Sequence, residues 1–128
     1  MKTLLLVASL LLSFSAMAAW NEVECEGRFE NKNVSLEVEQ PFPNGSYFKR
    51  ASLTVAENGS EKTEDYTVSS RLIRGFNRIE YTAPGLRLEV DFWPDQRPRW
   101  GMRYRGTILS STLGNKIQFL DCTFPNAY

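Results

Sequence analysis

The chain has 128 residues, with 15 basic and 15 acidic side chains and no histidine. That length supports one domain once a leader is removed, and the balanced charge argues against nucleic acid as a bulk electrostatic partner. Without histidine, Ser-His-Asp and Cys-His catalysis and every His-containing zinc or copper site are excluded, so no metal or cofactor is expected.

Residues 1–18 have the make-up of an export signal: Lys2, an apolar run from Leu4 to Phe14, and the small-x-small site Ala16-Met17-Ala18. Cleavage is expected after Ala18 or Ala19, leaving a single β domain over 19–128. The apolar run is short for a bilayer span, and no cysteine follows the cleavage site to carry a lipid. An exported protein, periplasmic or extracellular and without a transmembrane segment, is the expectation. Its two cysteines, Cys25 and Cys122, lie near the ends of the mature chain. In an oxidising compartment they are expected to be joined as a structural staple, since no Cys-x-x-Cys pair points to redox work.

Trp20 to Phe29 alternates Val23, Cys25, Gly27 and Phe29 with Glu22, Glu24, Glu26 and Arg28, the period of a strand with one buried face. After a turn at Asn31-Lys32-Asn33, Val34, Leu36 and Val38 form the inner face of a second strand, which ends in Pro41-Phe42-Pro43-Asn44-Gly45-Ser46. A third strand carries Ala51, Leu53 and Val55, and Asn58-Gly59 turns it into a fourth with Tyr66 and Val68. Three Asn-x-Ser triplets start at Asn33, Asn44 and Asn58; they read as a strand start and two turns rather than glycosylation sites.

Over 70–85 the favoured reading is strand, Gly75-centred turn, strand, although Leu72, Ile73, Phe76 and Ile79 also fit a short helix. A long hairpin follows. Leu86, Leu88, Val90 and Phe92 face inward, and after 94–98 Trp100, Met102, Tyr104 and Ile108 are expected to resume that face. Charge favours pairing Asp91 with Arg103 and Glu89 with Arg105. The last strand, from Lys116 to Phe124, has Leu120, Cys122 and Phe124 on one face and Ile117 and Phe119 on the other, which suggests a bulge or cover on both sides.

The fold expected is all-β: an antiparallel meander of seven to eight strands forming a small closed barrel, with a β-sandwich as the alternative and one disulfide joining first and last strands. Bulky inward residues should fill its interior. In size and cysteine economy the chain resembles the small disulfide-stapled periplasmic barrels that inhibit lysozyme, a likeness of architecture alone.

Two constellations remain. Trp93, Arg97, Arg99 and Trp100 flank or occupy a loop stiffened by Pro94 and Pro98, and Trp and Arg dominate interface hot spots; the competing reading puts Trp100 in the core. Arg71, Arg74 and Arg78, with Lys49 and Arg50, form a candidate basic patch, with Glu61, Glu64, Asp65 and Glu80 near enough to neutralise it. No carboxylate pair stands out as catalytic. The function expected is a non-enzymatic, monomeric binding or inhibitor module for a protein or glycan partner. A structural cell-envelope protein is the alternative, and a carboxylate-based hydrolase stands third.

Overall fold

The computed structural model describes residues 20–40 and 48–127. Residues 1–19, with the expected export signal, and the expected Asn44-Gly45 turn lie outside the described residues. Eight strands follow in chain order: β1 Trp20–Phe29, β2 Lys32–Gln40, β3 Phe48–Glu57, β4 Ser60–Ile73, β5 Arg78–Ala83, β6 Leu86–Asp91, β7 Tyr104–Ser110 and β8 Gln118–Thr123. Each pairs antiparallel with the next, and β8 returns to β1, closing a barrel. Positive φ at Glu30 and Asn31, and at Asn58 and Gly59, makes the two-residue turns β1–β2 and β3–β4, whose twist suits a hairpin.

The alternation read from sequence becomes inside and outside. Val23, Leu36, Val38, Leu53, Val68, Tyr81, Leu88, Val90 and Ile108 are almost fully buried in the barrel, as expected of an eight-stranded barrel just wide enough to be filled by its own side chains. Cys25 and Cys122 are directly opposed across the β1–β8 seam and disulfide-bonded. Their sulfurs occupy the interior, and Gly106 on β7 makes room for them: a Cβ there would lie 2.5 Å from Cys122 Sγ. Closure thus rests on a covalent bond and on a missing side chain two strands along.

Three expectations are corrected. The strands of the central hairpin end at Asp91 and restart at Tyr104, so Trp100 and Met102 lie in a loop and are exposed. Parity holds, but the register is Asp91 with Arg105 and Glu89 with Thr107, not Asp91 with Arg103. Asp91 still faces an arginine across the hairpin, and opposite charges alternate across the sheet in the row Arg78, Asp91, Arg105, Asp121. An exposed charge pair contributes only a few tenths of a kcal/mol, too little to fix a register that packing of the buried face can set. β8 has neither a bulge nor outer cover: Ile117 and Phe119 are exposed, and Arg105 lies over the Phe119 ring. The strand, Gly75 turn, strand reading of 70–85 holds, with no helix among the described residues.

The meander gives the barrel two unlike ends. At one lie the β1–β2, β3–β4, β5–β6 and β7–β8 connections. At the other are Trp20, the end of β2, the β4–β5 turn, residues 92–103 and the C-terminal residues 124–127. Both sequence-derived site candidates fall at this second, terminal end.

Candidate functional site

Residues 92–103 leave the ladder yet keep a defined path. Phe92 stays buried and its N–H donates to Asn77 O at 2.9 Å, tying the loop to the β4–β5 turn. Asp91 Oδ1 accepts from the Trp93 N–H at 3.0 Å, and Phe92 O from the Asp95 N–H at 2.8 Å. The Trp93–Pro94 peptide is cis. The hub is Tyr104, whose hydroxyl donates to Asp95 Oδ2 at 2.7 Å and accepts from the Arg99 N–H at 2.9 Å. Burial and the Asp95 carboxylate raise its phenol pKa, which keeps the hydroxyl a donor. Edge-on contacts with Phe92 and Phe124 fix the Tyr104 ring in the core. Gly101, at φ 80°, supplies the reversal that a side chain would resist.

On this anchored backbone Trp93 and Trp100 are 69% and 71% exposed. Trp93 is outward, as its parity indicated; Trp100 leaves the core position that one sequence reading assigned it. Arg99 is held loosely by Asp95 at 3.8 Å, whereas Arg97 is exposed with no ion-pair partner among the described residues. Leu72 and Phe76 of the neighbouring β4 end and β4–β5 turn are also exposed, as is Met102.

The basic patch does not form as a unit. Arg71 pairs with Glu80 at 3.4 Å and Arg78 with Glu89 at 3.4 Å, while Arg87 bridges the same two acids. Led by the Arg87 hydrogen bond, this cage lowers the Glu80 pKa. Arg50 lies 3.9 Å from Asp65. Only Arg74 of the expected trio is unpaired among the described residues, and with Gln96 of the loop it lines a shallow cleft over Phe92.

Lys49 turns inward, where a second polar cluster closes the barrel beneath the loop. A bulge between Asn21 and Val23 adds Glu22 to β1 and turns it into the mouth. Its carboxylate takes Lys49 Nζ at 2.6 Å and accepts the Tyr81 hydroxyl hydrogen bond. The Lys49 side chain is 10% exposed and its Nζ lies 5.7 Å from the centre of the Tyr81 ring. Burial first, then the Glu22 charge, pushes the Tyr81 phenol well above its ordinary pKa. Nearby on β2, Gln40 is buried and its Nε2 has no hydrogen-bond partner among the described residues.

Sequence reasoning missed this cluster. Lys49 shares the parity of Ala51 and Leu53, so its inward course was legible. Glu22 was not, because one inserted residue reverses parity and nothing in the local sequence marks it. Among the described residues no group of three or more His, Cys, Asp or Glu side chains is placed to hold a metal ion. Among the described residues the two carboxyls with shifted pKa, Glu64 and Glu80, are both lowered, opposite to the elevation that suits a general acid. No family model, curated protein or solved structure matches the chain.

Proposed function

We propose that the protein is an exported, non-enzymatic binding module that presents residues 93–100 to a protein partner. The observation that carries this is the exposure of Trp93 and Trp100 on a loop whose backbone is tied to the barrel at Asn77, Asp91, Asp95 and Tyr104. Large rigid aromatics lose little entropy on binding, and a loop ordered in advance loses less still. Arg97, with no ion-pair partner among the described residues, is available for a bidentate contact with a carboxylate. A protein is favoured over a glycan because Leu72, Phe76 and Met102 add irregular apolar surface at the same end, while Asp95 is already engaged. A Cys25–Cys122 disulfide accords with an oxidising destination.

The test is affinity capture with the disulfide intact, using the native protein and a Trp93→Ala plus Arg97→Ala variant side by side. One defined partner, bound at least about thirtyfold more weakly by the variant, is the expected result, since a hot-spot truncation costs about 2 kcal/mol or more. Equal affinity for both proteins would return the loop to a scaffolding role. Self-assembly or sedimentation with envelopes, without a partner, would favour the structural alternative, and capture by a glycan array would change the partner class.

A further inference from the structure

Beside the exposed tryptophans, Arg97 and Pro98 bend over the barrel mouth and close one side of a cleft of about 300 Å³. Its other walls come from Trp20, Ile79 and Phe124, with Asn126 at the rim. A volume near the lower end of the small-ligand range would take a single aryl or branched aliphatic group rather than a cofactor.

Its polar groups have one sign left over. Glu22 reaches the cleft, but both carboxylate oxygens are engaged and its charge is opposed by Lys49 at 2.6 Å. Arg97 has no ion-pair partner among the described residues, so among these its guanidinium is the cleft charge left without a counter-charge. The Asn126 side-chain amide donates to Asn21 O at 2.8 Å, which holds the C-terminal residues against β1 and sets that wall. An apolar body with one carboxylate is complementary to this arrangement: the body displaces water from Trp20, Ile79 and Phe124, and the carboxylate takes the forked donors of Arg97.

We infer that this cleft receives a carboxylate-tipped apolar group and that, building on the binding-module reading, this group is the anchor of the protein partner, such as an apolar C-terminal residue. Trp93 and Trp100 then contact the surface around the anchor. The chemistry would also suit a free aryl carboxylate, so the experiment separates the two sources.

The purified, disulfide-intact protein is titrated with 3-phenylpropanoate and, separately, with 3-phenylpropanamide, following the Trp20 indole and Arg97 Nε–H signals by NMR. Saturable shifts at both signals with the acid, at least tenfold weaker with the amide, are expected. Arg97→Gln, an exposed change, should remove the preference for the acid. Ala127→Phe, which puts a ring into the cleft and retains Arg97, should abolish both responses. No saturable shift, or equal binding of acid and amide, would overturn the assignment. Where a partner has been captured, saturating acid should release it. Release supports the anchor, whereas retention with the cleft occupied would overturn the anchor and leave a small-acid site. Failure to capture any partner would count against the binding-module reading without altering the titration.

Discussion

Gly106 offers the most direct test of how this barrel closes. A Cβ at that position would lie 2.5 Å from Cys122 Sγ, with Leu88 Cδ1 at 3.4 Å and Leu120 Cβ at 3.6 Å. Non-bonded heavy atoms prefer roughly 3.5–4.0 Å, so the methyl group of Gly106→Ala would intrude on the sulfur by about 1 Å. The sulfur is bonded across the seam to Cys25, so either β7 or the seam itself must shift. Overpacking of this kind costs about 1–3 kcal/mol. Removing both sulfurs by Cys25→Ala plus Cys122→Ala leaves only ordinary contacts around the new methyl. There, the lower backbone entropy of alanine in the unfolded chain should stabilise by about 0.4–1 kcal/mol. The coupling expected in a double-mutant cycle is therefore about 1.4–4 kcal/mol, and Gly106→Ala should change sign between the two backgrounds. Urea unfolding followed by tryptophan fluorescence measures it. Because losing a cross-link between residues 97 apart costs up to about 4.7 kcal/mol on the chain-entropy model, all four proteins should be compared with the same stabilising sulfate present. Equal destabilisation in both backgrounds would refute the claim that Gly106 is glycine because of the disulfide.

Glu22→Ala leaves the Lys49 ammonium and the Tyr81 hydroxyl without their acceptor at a partly buried mouth; the cost should be about 2–3 kcal/mol, read as a drop in urea midpoint, and a loss within error would mean that water replaces the carboxylate. Glu80 has a folded-state pKa below its unfolded value of 4.5, so its stabilising contribution is complete above that value and is lost as pH falls through the folded pKa; urea midpoints from roughly pH 5 to pH 3 should fall less for Glu80→Gln than for the native protein. Arg71→Ala plus Arg78→Ala removes side chains that serve Glu80 and Glu89, so affinity for a captured partner should stay within about twofold while stability falls by up to about 1 kcal/mol; a large affinity loss with stability unchanged would reinstate the basic patch.

The inside and outside of this barrel were legible in the order of residues, because a strand's side chains alternate and a buried face tolerates few polar groups. Leu36, Leu53, Leu88 and Ile108 are in the core where alternation puts them, and the turns at Asn58-Gly59 and Gly75 fall where backbone chemistry requires them. The Cys25–Cys122 bond was legible too, because a chain with an expected export signal and only two cysteines has one pairing to make, and that pairing pointed to closure. Only the tertiary structure decided the rest. Register between strands depends on how the buried faces pack, to which exposed charges such as those on Arg103 and Arg105 contribute little. Alternation also stops carrying information where a strand stops: Trp100 has core parity on paper but sits in a loop, and Glu22 has surface parity but enters the mouth through a bulge. Arg71 and Arg97 look alike in sequence, yet one pairs with Glu80 and the other has no ion-pair partner among the described residues. That difference arises from strands distant in sequence, which local pattern does not encode.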